Sequence, residues 1–169
     1  VVEHPHQGAA LYNLPGISGP LAGRLLHGKP LSYNNLLDLD AAWRAALAFN
    51  DRPSVAIVKH LSPCGIASAD SLPHAFALAL QSDPVSAFGG VIACSETVDA
   101  ETVDAIGTLV VECIIAPGFA PDALEKLAKR KNCRLVEAPE KRLFPNYEVR
   151  TVNGGILWQT RDFGDPPGT

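Results

Sequence analysis

Apolar and polar positions along the chain follow two periods. Over residues 35–50, Leu36, Leu39, Trp43, Ala46 and Leu47 recur at helical spacing, which predicts an amphipathic helix closed by Asp51-Arg52-Pro53. Ser54–Lys59 (SVAIVK) follows as a short apolar run with β-branched residues, the pattern of a buried strand. It ends at His60 and the turn-like Ser62-Pro63-Cys64-Gly65. The next helix is expected after Asp70 or Ser71 as N-cap, with Pro73 tolerated in its first turn and Phe76, Ala77 and Leu80 facing inward. Further strands are predicted over 88–93, 113–116 and 133–137, separated by helices over 99–110 and 120–130. Val103, Ile106, Leu109 and Val110 share one side of the first of these helices; Leu124, Leu127 and Ala128 share one side of the second. Residues 147–152 and 155–159 add one or two strands in the tail. Residues 1–30, rich in Gly and Pro, read as loop with a short strand over 9–12.

Apolar strands alternating with amphipathic helices point to an α/β layered fold with a mainly parallel sheet. In such sheets ligands gather at the carboxyl ends of the strands. Lys59, His60 and Pro117-Gly118 all follow strands and are expected at such ends.

The chain of 169 residues fits one domain, and at that length folding hides roughly 70% of the unfolded surface. A net charge of -4 argues against broad nucleic-acid binding, which leans on a basic face. Cys64, Cys94, Cys113 and Cys133 are widely spaced with no CxxC pair, so they read as free thiols in a reducing compartment, with the cytoplasm as the expected location. No apolar run approaches the ~18 residues of a membrane span, and the start lacks the regions of a signal peptide. Methionine is absent even at position 1, which suggests a processed chain or a piece of a longer one.

Four segments carry candidate chemistry. Lys59-His60 follows directly on the buried strand. A His exchanges protons near neutral pH, and a neighbouring Lys can stabilise developing negative charge or donate a proton. Adjacent residues of a regular strand point to opposite faces, so both reach one substrate only if the strand ends there. The competing reading is a solvated Lys beside a structural His. In Asp83-Pro84-Val85-Ser86-Ala87-Phe88-Gly89-Gly90, the glycines permit close backbone approach and Phe88 can stack on a flat ring. A capped turn with Phe88 in the core is the alternative. Leu31-Ser32-Tyr33-Asn34-Asn35 enters the first helix, and its Asn side chains can cap that helix or bind a carboxamide. Glu112, a carboxylate in an apolar run, needs either a ligand donor or an Arg.

Taken in order, EHPHQ at 3–7, LSYNNLLDLDAAW at 31–43, IVKHLSPCG at 57–65, DPVSAFGG at 83–90, ECIIAPGF at 112–119 and NGGILWQTRD at 153–162 resemble the transformylase domain of the bifunctional transformylase and cyclohydrolase family that completes inosine monophosphate. The match in order and spacing covers nearly the whole chain. The resemblance implies a cytidine-deaminase-like three-layer α/β/α fold used twice in the full domain, with residues 1–169 as the first copy and the cyclohydrolase domain lying elsewhere. It implies formyl transfer from 10-formyltetrahydrofolate to the 5-amino group of AICAR, the aminoimidazole carboxamide ribonucleotide. By the same resemblance Lys59 and His60 are catalytic, and Asn35, Phe88, Gly89 and Glu112 bind substrate. No metal, nucleic acid or membrane is implied, and a homodimer with a shared site is. The family's Arg-Tyr-Gly start would fall at or just before Val1-Val2, and its QDRD stands here as QTRD. The isolated chain is therefore expected to be inactive or incomplete.

Two other readings stand beside this one. A zinc deaminase is suggested by Pro63-Cys64, yet that chemistry needs a PCxxC pair and Cys64 is followed by Gly65-Ile66-Ala67. A degenerate half-domain that binds ligand or partner without turnover is the second.

Overall fold

The apolar run Ser54–Lys59 forms strand β2, and its alternate side chains enter two different cores. It lies in a sheet built from β1 (Arg24–His27), β2, β3 (Ser62–Ser68), β4 (Gly90–Cys94), β5 (Val111–Ala116) and β6 (Arg134–Glu137). The computed structural model describes residues 4, 6–14, 19–49, 51–139, 141, 146–162 and 164. Strand order is β1-β6-β5-β4-β2-β3. β4, β5 and β6 pair in parallel, β2 is antiparallel to both β4 and β3, and β1 is antiparallel to β6. Strands β3 to β6 therefore share one direction, and β1 and β2 oppose them.

Helix α1 (Tyr33–Ala46) covers one face alone, packing Leu39, Ala42 and Trp43 on Ala56, Val58, Val91, Cys113 and Ile115. The other face carries α2 (Leu72–Ser82), α3 (Ala100–Ile106) and α4 (Pro121–Leu127) over Val55, Ile57, Ile92, Ile114 and Leu135. A sheet covered on both sides needs apolar residues at every position, which is why its central strands read as continuous runs. Burying a side chain such as Leu39 fully is worth about 1.5–3 kcal/mol. The result is the three-layer α/β/α class expected of the sequence.

Several local expectations need correcting. Residues 9–12 form no strand, and the segment read as loop yields β1, whose four residues are too few and too polar to show a period. Ser62-Pro63-Cys64-Gly65, read as turn-like, begins the edge strand β3 (Ser62–Ser68). Pro63 is at home there because an edge strand need not donate every N–H. The chain reverses one step earlier, at His60-Leu61, in a two-residue loop between the paired Lys59 and Ser62. α1 stops at Ala46 and α3 at Ile106, where Gly107 takes a φ of +58°. Leu109 and Val110 therefore lie beyond α3 rather than on it. Lys59-His60 and Pro117-Gly118 do follow the carboxyl ends of β2 and β5, but because β2 runs against β5 those ends lie at opposite edges of the sheet. The tail forms a separate hairpin, β7 (Tyr147–Val152) with β8 (Gly155–Thr160), turning at Asn153-Gly154.

Ser71 caps α2, as one of the two expected candidates, with its hydroxyl accepting from the His74 amide. Asp99 caps α3, accepting the Thr102 amide at 2.8 Å and the Thr102 hydroxyl at 2.7 Å. These bonds hold the Asp99 carboxyl below its ordinary 3.8. A depressed folded-state value means stability that is present above 3.8 and lost as pH falls below it. Asp99→Asn keeps an acceptor and is expected to remove this acid-dependent part, whereas Asp99→Ala should cost about 1 kcal/mol near neutrality. Denaturant titrations of both variants near neutral pH and in acid check this; an unchanged acid slope in Asp99→Asn contradicts it.

Candidate active site

Lys59 is the last residue of β2, half-buried, and its Nζ donates to the Phe88 carbonyl at 2.7 Å. That carbonyl belongs to a tight segment before β4. Asp83 Oδ1 accepts the Ser86 amide at 2.9 Å, the Ala87 amide donates to the Asp83 carbonyl at 3.2 Å, and the Gly89 amide donates to the Val110 carbonyl at 2.8 Å. Gly89 takes a φ of +72°, which a side-chain-bearing residue adopts only under strain. The segment is thus the capped turn that one reading foresaw. Phe88, however, is 58% exposed and not in the core.

His60 follows Lys59 and is exposed, with a φ of +52°; Leu61 after it has +64°. The Leu61 amide donates to Asp38 Oδ1 on α1 at 2.7 Å. One turn earlier on the same helix, Asn35 sits in a capping box. Its amide donates to Ser32 Oγ at 3.2 Å and its Oδ1 accepts the Ser32 amide at 3.1 Å. Its Nδ2 donates to Glu112 Oε2, also at 3.1 Å. Asn35 therefore caps α1 and also ties the helix start to the beginning of β5. The described partner of Glu112 is this amide rather than an Arg, and Glu112 is exposed at the start of β5.

All six residues singled out by sequence, Asn35, Lys59, His60, Phe88, Gly89 and Glu112, come to one edge of the sheet. The pairings Val58↔Val91 and Gly90↔Val111 place the end of β2 beside the starts of β4 and β5, and the start of α1 closes over them. Asp38 belongs to the same constellation and carried no sequence signal, because an acid on the polar side of an amphipathic helix reads as solvated. Cys64 on β3 also lies close by. Burial pushes its thiol above the ordinary 9.0, the Asp83 carboxylate adds to that, and Lys59 offsets part of it. Burial raises the other thiols further, Cys94 and Cys113 to about 12 and Cys133 to about 11, and all four cysteines are free.

The remaining motifs gather around α1. His4 and Gln7 line a cleft with Tyr33 and Asn34, so the first motif meets the second; Glu3 and Pro5 lie outside the described residues. Tyr147 and Trp158 of the hairpin face Leu37 and Asp40 across a groove. Among the described residues, no group of three or more His, Cys, Asp or Glu could hold a metal ion. No helix among them is long and apolar enough to cross a membrane.

The family model described as AICARFT/IMPCHase bienzyme matches residues 3–167. The bifunctional purine biosynthesis protein PurH of Mycobacterium ulcerans is 47% identical over 168 residues, covering 98% of this chain and 32% of the relative. The protein of the same name from Mycobacterium marinum matches equally, and that from Myxococcus xanthus is 42% identical over 174 residues, covering 98% and 34%. The chain spans about a third of the length of these curated relatives. Matched over nearly its whole length, the chain belongs to the AICARFT/IMPCHase bienzyme family.

Proposed function

We propose that this chain forms part of the site at which a formyl group passes from 10-formyltetrahydrofolate to the 5-amino group of AICAR, in the synthesis of inosine monophosphate. The observation that carries the reading is the convergence of Lys59, His60, Phe88 and the Asn35–Glu112 pair on one sheet edge, in a chain of this family. The amine of AICAR is a poor nucleophile because its ring is electron-poor. Attack on the formyl carbon forms a new C–N bond and leaves negative charge on the former carbonyl oxygen. His60, exposed on its turn, takes the proton that the amine sheds. Lys59 stabilises the oxyanion or passes a proton to the folate nitrogen as the bond from that nitrogen to the formyl carbon breaks. One Lys59 proton is committed to the Phe88 carbonyl, which leaves two for this work. The exposed face of Phe88 offers a flat ring something to stack on, and Gly89 lets the ligand approach the backbone.

On this reading the chain is the first of two similar subdomains and does not turn over alone. A homodimer sharing the site is part of the same proposal, as is a cytoplasmic setting. The hairpin supports the assembly by exposing Val149, Val152, Ile156, Leu157 and Trp158, since a lone two-stranded hairpin is marginally stable in water. The test is formyl transfer by the full-length protein, followed as AICAR-dependent release of tetrahydrofolate. Release is expected with AICAR and none without it; a full-length protein that binds both substrates and releases nothing overturns the reading in favour of a non-catalytic domain.

A further inference from the structure

The loop that presents His60 has the wrong residues for its shape. A two-residue hairpin loop with positive φ at both positions is ordinarily built from Asn-Gly or Asp-Gly. Here His60 and Leu61 occupy it, at +52° and +64°; His enters the left-handed region more readily than most residues, but Leu does not. By contrast, the β7–β8 turn uses Asn153-Gly154. Something must therefore hold the β2–β3 loop in place. Burial does not, because the Leu61 side chain is 53% exposed. The described tether is the bond from the Leu61 amide to Asp38, made across 23 residues of sequence at 2.7 Å.

We propose that Asp38 is a positioning residue: by accepting the Leu61 amide, its carboxylate keeps the His60-Leu61 loop left-handed and so fixes where the His60 imidazole is presented. Asp38 sits one helical turn after Asn35, so α1 braces both His60, through the loop, and Glu112, through Asn35. The inference rests on the formyl-transfer reading for its consequence in rate, but not for the tether itself. It requires an oxygen acceptor at position 38, not a charge.

The experiment uses the full-length protein with Asp38→Ala, Asp38→Asn, Leu61→Gly and the Asp38→Ala/Leu61→Gly pair. Backbone φ at His60 and Leu61 is read by NMR couplings or a crystal structure, and kcat and KM for AICAR are measured beside it. Asp38→Ala is expected to release the loop and lower kcat by about 10- to 100-fold with KM little changed, the cost of misplacing a reacting group. Asp38→Asn keeps an acceptor and should stay within about threefold of wild type in kcat. Leu61→Gly in the Asp38→Ala background should recover most of the loss, because glycine holds positive φ unaided. A mere loss of fold stability would not be rescued in this way. The proposal is overturned if Asp38→Ala leaves both φ values in place, if Asp38→Asn is as damaging as Asp38→Ala, or if the glycine gives no recovery. It is equally overturned if the loop is released and kcat holds while His60→Ala abolishes turnover. Should His60→Ala itself keep turnover, the role given to His60 fails instead, and the φ values still judge the tether; the formyl-transfer reading is judged separately, by AICAR-dependent release of tetrahydrofolate.

Discussion

Full-length protein carrying His60→Ala or Lys59→Ala is expected to lose about 10²- to 10⁴-fold in kcat while AICAR still binds. The expectation follows from what each group does in the transition state. An amine that has attacked a carbonyl becomes strongly acidic, so a nearby imidazole matters most at that moment and little when substrate merely binds. The oxyanion likewise exists only after attack. Lys59 has a further duty, since its ammonium holds the Phe88 carbonyl at 2.7 Å. Lys59→Ala should therefore also loosen the Phe88-Gly89 segment and raise KM somewhat, whereas His60→Ala should not. The double variant should fall little below the worse single one, because groups serving one step are not additive. Steady-state kinetics with calorimetric AICAR binding decide this; a variant that keeps its kcat removes that residue from the mechanism.

Gly65→Ala is expected to be the most damaging single substitution for stability. Gly65 lies in β3 directly beneath α2. A Cβ there would overlap the Ala79 carbonyl oxygen, lie 2.8 Å from the Ala79 carbonyl carbon, and come within 3.1 Å of Ser82 Cβ. The obstacle is helix backbone, which cannot swing aside as a side chain does. Strand and helix must part, and the apolar contacts of Phe76 and Ala79 beneath them suffer. Overpacking of this kind costs about 3 kcal/mol or more, which corresponds to a drop in Tm on the order of 10 °C for a chain of this size. Equilibrium denaturation measures it, and a loss under about 0.5 kcal/mol would mean that the helix does not approach so closely. The same displacement shifts β3 and its loop, so catalytic loss should accompany the loss of stability.

The sequence announced the sheet where burial on both faces forced apolar runs, as in β2, β4 and all of β5 but Glu112. It concealed β1 and β3. Arg24–His27 is short and half polar, and Pro63 and Gly65 carry turn chemistry into a strand for reasons that lie elsewhere, at a sheet edge and under a helix. The reversal at His60-Leu61 was invisible because neither residue is one that such loops prefer. Asn35, Lys59, His60, Phe88, Gly89 and Glu112 could be singled out by residue type and resemblance. What joins them could not: the Asn35–Glu112 and Asp38–Leu61 bonds cross 77 and 23 residues, and no local pattern encodes a partner so distant. The orientation of β2 was equally hidden, since an apolar run reads the same in either direction.

That orientation has a price measured in distance. Had β2 entered the sheet alongside β4 in the same sense, its final residue would stand at the far rim, roughly 20 Å away for six residues of extended chain. The imidazole and ammonium would then sit among the loops near Pro117, out of reach of the phenyl ring and the carboxylate. One inverted ribbon gathers side chains from four separate stretches of sequence within a single molecule's length of each other.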